Sequence, residues 1–110
     1  MNQVILVGRL TKDPEIKELE SGSKVANISI AVNRNFKNAE GEYETDFFNV
    51  TLWQGIAENT TEFCHKGDVI GIKARLQNNN IVDEEGKVTK WQNEIIAEKV
   101  TFLSSSNKTN

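Results

Sequence analysis

Runs of alternating or wholly apolar residues, each closed by turn-forming residues, dominate the chain. Val4–Leu10 reads as a strand, ended by Thr11-Lys12-Asp13-Pro14, where Pro14 has no N–H to give to a ladder. The segment 16–20 predicts a short continuation, and Ser21-Gly22-Ser23 a turn. Residues 25–33 alternate cleanly as a second main strand. The polar stretch 37–44, centred on Glu40-Gly41-Glu42, predicts a hairpin tip, and 46–53 a third strand. The period then changes. Ile56, Asn59, Thr60 and Phe63 recur at steps of three and four, and Lys66-Gly67 follow, which predicts one short helix from 56 to about 65 with a glycine C-cap. Strands resume at 69–76. A second long hairpin turns at Asp83-Glu84-Glu85-Gly86-Lys87, 91–97 returns from it, and 99–103 extends or ends that strand. The polar stretch 104–110 reads as a disordered tail behind a single domain over 1–103.

Five main strands with one helix between the third and fourth is the layout of an all-β, five-stranded OB-fold barrel with long β-hairpins. A small β-sandwich or an SH3-like barrel is the structural alternative. Strand period two separates the faces. In the third strand Phe48, Val50 and Leu52 point to a core, while Phe47, Asn49, Thr51 and Trp53 point away. In the fourth, Ile70, Ile72, Ala74 and Leu76 face inward and Gly71, Lys73, Arg75 and Gln77 outward. The second strand puts Ala26, Ile28, Ile30 and Val32 inside, with Asn27, Ser29, Ala31 and Asn33 outside. The first strand has apolar residues at both parities, which predicts burial on both faces or an edge between subunits, since an open apolar edge invites aggregation.

Charge alters the picture only locally. Thirteen Lys and Arg against sixteen Asp and Glu give −3, whereas a phosphate-binding domain is usually basic. Within the three sorted strands, however, no acid falls on an outward face. The acids gather at Glu40, Glu42 and Glu44, at Asp83, Glu84 and Glu85, and at Glu15, Glu18 and Glu20. Aromatics interleaved with Lys and Arg suit an unpaired nucleic acid strand, because every base has a π-face and cations follow the phosphates. The candidate stacking platforms are Phe36, Phe47, Trp53 and Trp91. The candidate phosphate contacts are Arg9, Lys12, Arg34, Lys37, Lys73 and Arg75. At about 1–3 kcal/mol per stacked base, three platforms supply roughly 3–9 kcal/mol, and a micromolar complex needs about 8 kcal/mol. One domain is then a moderate binder, and tight binding calls for several copies on one strand.

Val4-Ile5-Leu6-Val7-Gly8-Arg9-Leu10, then Asp13-Pro14-Glu15, resembles the opening of bacterial single-stranded DNA-binding proteins. Val25-Ala26-Asn27-Ile28-Ser29-Ile30-Ala31, Asp46-Phe47-Phe48-Asn49-Val50, the helix with Lys66-Gly67, and Gly71-Ile72-Lys73-Ala74-Arg75-Leu76 continue the likeness in order, from Asn2 to about Leu103. The resemblance implies an OB-fold and a homotetramer that binds single-stranded DNA without regard to sequence, in replication, recombination and repair. It implies stacking roles for Phe36, Phe47 and Trp53. Ile81 stands where that family usually has an aromatic, and Trp91 on the returning strand is the candidate substitute. Longer members end in an acidic, hydrophobic tip that recruits replication and repair enzymes. Ser104-Ser105-Ser106-Asn107-Lys108-Thr109-Asn110 has no such tip, which suggests a short paralogue, phage-borne or used in DNA uptake, or a truncated chain; recruitment through the tail is not predicted.

Other chemistries find little to stand on. Cys64-His65 invites a nucleophile–base reading, but neighbours on a helix point about 100° apart, and a buried cysteine beside a surface histidine is the simpler account. One cysteine and one histidine make neither a disulfide nor a zinc site. No glycine-rich phosphate loop occurs, so neither an enzyme nor a cofactor is expected. No apolar run approaches the ~20 residues that span a bilayer, and no signal peptide opens the chain, so a cytoplasmic, nucleoid-associated protein is expected, with no membrane partner.

Overall fold

The computed structural model describes residues 1–105. Its strands are β1 (Val4–Leu10), β2 (Ile16–Glu18), β3 (Lys24–Lys37), β4 (Tyr43–Trp53), β5 (Val69–Asn78), β6 (Ile81–Val82), β7 (Val88–Lys90) and β8 (Asn93–Ser104), with the helix α1 (Gln54–Phe63) between β4 and β5. The main sheet runs β1-β5-β8-β4-β3-β2. Pairing of Arg9 with Ala31 and of Leu10 with Ile30 joins β1 to β3 and closes a five-stranded barrel of OB-fold type. The five predicted main strands are β1, β3, β4, β5 and β8; the short continuation at 16–20 is β2, antiparallel to the start of β3. β6 and β7 form a separate two-stranded ribbon.

Alternation along these strands builds the core. Leu10, Ile30, Val50, Leu52, Ile70 and Ile72 are its largest fully buried side chains, each worth about 1.5–3 kcal/mol relative to exposure. α1 packs on β3 and β8 and adds Ala57 to the same cluster. The sequence expectation for α1 needs two corrections. The helix starts at Gln54, two residues early, because Gln54 takes a left-handed backbone (φ 53°) that turns the chain straight out of β4. It also ends without a glycine cap. Cys64, extended, is the C-cap and donates its N–H to Thr60 O. Gly67 (φ 90°) serves a separate turn, in which Asp68 N–H meets His65 O, and its own N–H reaches Leu10 O at 2.8 Å.

β1 departs from a strand buried on both faces. Leu6, Gly8 and Leu10 face the core side, while Ile5 and Val7 are 60% and 53% exposed. Its hydrogen bonds to β5 run from Val4 to Arg9, but those to β3 begin only at Arg9. Among the described residues, Val4–Val7 therefore has one unpaired backbone edge. The disordered tail expected from 104 does not include Ser104, which pairs with Val69; residues 106–110 of that expectation lie outside the described residues.

Candidate nucleic-acid interface

β4 is longer than the sequence pattern suggests, and its outward row runs Tyr43, Thr45, Phe47, Asn49, Thr51, Trp53. Phe47 is 67% exposed and Trp53 37%. They stand six positions apart along the strand, about 20 Å. Trp53 sits opposite Val25 and is followed by the strained Gln54, whose side-chain Oε1 accepts the Lys24 N–H at 3.2 Å. This turn holds Trp53 at the mouth of the helix. Tyr43 lies outside the strand that the sequence predicts from 46, and so is not among the predicted platforms. It continues the same row, with Lys37 Nζ 5.7 Å from its ring centre.

Beside Phe47 lies a cleft of about 640 Å³ between β4 and the start of β8, where Asn27, Asn49, Asn79, Gln92 and Asn93 supply amides. Its floor is a polar network. The Thr51 hydroxyl, in a residue only 6% exposed, is 2.9 Å from Glu94 Oε2 and 3.1 Å from the Asn27 side-chain amide. A hydroxyl has one proton to give. It goes to the carboxylate, and Asn27 meets the hydroxyl oxygen best through its NH2, since the two ends of an amide exchange by a simple flip. Glu94 corrects the expectation of an acid-free face: the three sorted strands carry no acid there, but β8 does.

The predicted cations divide. Arg75 belongs to the cleft's face, in a row with Ile96 and Thr51; it meets Gln77 Oε1 at 3.2 Å and Glu98 at 3.7 Å. Lys12 lines a small pocket with Val25 and Asn27, next to Trp53 and Thr51 across the ladder. Lys17 lines it too, a cation that sequence reasoning missed and that the pairing of Lys17 with Val25 reveals. Arg9 shares a cross-strand row with Ala31 and Phe47, but its guanidinium donates to the Gly67 carbonyl. Lys73 lies elsewhere, between Ile5 and Lys99 on the outer face of β1, β5 and β8.

Arg34 is bonded at all three guanidinium nitrogens. Its Nε and Nη2 donate to the two oxygens of Asp46, both at 3.0 Å, and Nη1 donates to Glu44 at 2.7 Å. Bonding to Arg34 holds the Asp46 carboxyl below its usual range and raises the Arg34 guanidinium. Phe36 is exposed on β3, within the break in register between Asn33 and Lys37. Trp91 is 76% exposed and precedes β8 rather than lying in it; Ile81, opposite Lys90, is exposed on the β6–β7 ribbon. Cys64 is buried in the core, where burial, and then the nearby Asp68, push its thiol up, while His65 faces solvent. Among the described residues, no three His, Cys, Asp or Glu side chains are grouped to hold a metal ion, and no helix is long and apolar enough to cross a membrane.

The profile of the single-strand binding protein family matches residues 1–103. Single-stranded DNA-binding protein B of Bacillus subtilis is 48% identical over 102 residues, covering 93% of this chain and 89% of that protein. Single-stranded DNA-binding protein 2 of Listeria monocytogenes is 45% identical over 107 residues, and single-stranded DNA-binding protein 3 of Listeria innocua 47% identical over 105. These alignments cover 97% and 96% of this chain but only 66% and 65% of the two Listeria proteins. The chain thus spans about two thirds of the length of those relatives.

Proposed function

This chain belongs to the single-strand binding protein family, and we propose that it binds and protects single-stranded DNA in the cytoplasm during replication, recombination and repair, without catalysis. The observation that carries the reading is the outward row of β4, which exposes two aromatics, Phe47 beside an amide-lined cleft and Trp53 at the strand's end. Water alone gives no reason to expose Phe47 and Trp53 there, whereas bases stack on such rings whatever their identity. Phe36 and Trp91 are further platforms on the two hairpin arms, and Tyr43 extends the row. Lys12, Arg75, Lys37 and Arg9 are the proposed phosphate contacts, with Lys17 added. Arg34, already bonded to two carboxylates, is the weakest candidate among them.

Self-association is part of the proposal. Ile5, Val7 and Leu103 are exposed around Gly71 on the outer face of β1, β5 and β8, and the unpaired edge of Val4–Val7 adjoins them. Two such surfaces cover each other, and a homotetramer presents several moderate sites to one strand. Lys73, on this face, meets DNA where the strand passes between subunits.

Titration with dT oligomers of increasing length tests both parts. Bound DNA is expected to quench tryptophan fluorescence, with affinity falling as salt rises. Phe47→Ala is expected to weaken binding roughly 5- to 150-fold, from about 1–3 kcal/mol per stacked base. Sedimentation is expected to give four subunits, and Val7→Lys to reduce that number. Absence of both quenching and salt-sensitive binding would end the DNA reading.

A further inference from the structure

We infer that Glu94 makes the cleft beside Phe47 a base pocket with a preference for guanine, an inference that rests on this cleft taking single-stranded DNA. A carboxylate only accepts hydrogen bonds. It repels a phosphate, which likewise offers only acceptors and negative charge, so the backbone is kept at the rim and a base enters. Among the described residues Glu94 forms no ion pair, and the one hydrogen bond to its side chain comes from Thr51 to Oε2. That bond fixes the carboxylate's orientation while leaving Oε1 and further lone pairs of Oε2 open.

What such a group recognises follows from the edges of the bases. Thymine offers one N–H between two carbonyl oxygens, which face a carboxylate unfavourably. Cytosine and adenine each offer an amino group beside an acceptor nitrogen. Guanine alone offers adjacent N1–H and N2–H donors, which match both oxygens of one carboxylate. The neighbouring amides of Asn49, Asn79 and Asn93 both donate and accept, so they can serve any base and do not cancel the choice. Phe47, on the cleft wall, supplies the ring on which the chosen base stacks. The preference is modest beside the sequence-tolerant stacking, since it acts on one base per subunit.

The test compares three labelled oligomers by fluorescence anisotropy: all-dT, dT with an isolated dG at every third position, and the same oligomer with deoxyinosine in place of dG. Inosine keeps N1–H and lacks only the N2 amino group. The wild-type protein is expected to bind the dG oligomer roughly 5-fold more tightly than the deoxyinosine one, the lower end of what a bidentate side chain–base pair discriminates. In Glu94→Gln, which keeps an acceptor for Thr51, that ratio is expected to fall toward one. A wild-type ratio of one, or the same ratio in both proteins, overturns the inference while dT binding upholds the broader reading. Failure to bind any of the three oligomers overturns both. A wild-type ratio of one overturns the inference even if Glu94→Gln does not fold, and Glu94→Ala is then the second variant, in which the ratio is likewise expected to fall toward one.

Discussion

Arg34 shows how one residue changes meaning between sequence and structure. An arginine two residues before an exposed phenylalanine reads as a phosphate contact, but its three donor positions are occupied by Asp46 and Glu44. The three groups together carry −1. All are well exposed, so solvent screens the pair and its contribution to stability near neutral pH is small. Its pH dependence nonetheless has a definite sign. The folded Asp46 titrates below the ordinary 3.8 because Arg34 bonds its ionised form. The stabilisation is therefore fully present above the unfolded value and is lost as pH falls through the lowered folded one. Carboxyl NMR is expected to place the Asp46 midpoint below 3.8, and Arg34→Met to return it upward. The melting-temperature gap between the two proteins is expected to close as acid protonates Asp46; a gap that widens instead would refute the assignment. Phe47 and Trp53 were legible in the sequence because period-two alternation within one strand sets their direction. The partners of Arg34 were not, since they return ten and twelve residues later across a hairpin with a break in register. Glu94 was hidden for the same reason, 43 residues from Thr51.

At the scale of elements, the two long hairpins end in the same five-residue turn. Asn38 and Asp83 each accept, on one side-chain oxygen, the N–H groups two and four residues ahead. Each also pairs its own N–H with the carbonyl four residues on, and a glycine in fourth place, Gly41 or Gly86, adopts a left-handed backbone with φ near 80°. This is a type I turn followed by a left-handed residue, a common way to reverse a ribbon. An alanine in that conformation costs about 1–2 kcal/mol. Gly86→Ala is expected to act locally, because β6 and β7 form their own ribbon: amide exchange at 81–90 accelerates while the global melting temperature barely moves. Gly41→Ala, at the tip of strands that continue into the barrel, is expected to accelerate exchange locally and to lower the global melting temperature as well. Equal global losses from the two would contradict the independence of the second ribbon. A glycine set among charged residues made these tips readable from sequence. The start of α1 was not readable, because Trp53 offers no side-chain cap and the reversal falls on Gln54, a residue with no recognised preference for positive φ.

Over the whole molecule, the strand count and the single helix were readable, while the pairings between distant strands were not. The parallel contact of β4 with β8 and the clip in which Asn2 exchanges two side-chain hydrogen bonds with the Leu76 backbone are long-range pairings that no local periodicity encodes. Closure of the barrel is the most consequential of them, and it turns on Gly8. A Cβ at that position would lie 2.6 Å from the Ala31 carbonyl oxygen and 2.9 Å from a Val32 methyl carbon. The first neighbour is backbone held by its pairing with Arg9 and Phe47, so it cannot rotate aside. Just beyond, Leu10 donates to Asp68 O and accepts from Gly67 N–H, fastening the closing strand to the turn after α1. Gly8→Ala must therefore either strain this seam or part it, at a cost of about 1–3 kcal/mol by the usual scale of overpacking. Were the seam open in solution, the same substitution would be neutral or would stabilise by roughly 0.4–1 kcal/mol through the unfolded chain. The sign of the change in denaturant-induced unfolding distinguishes the two, and destabilisation is the expected result. Because Arg9, Ala31 and Phe47 form one row across that seam, the variant is also expected to loosen single-stranded DNA binding without any change to an aromatic residue.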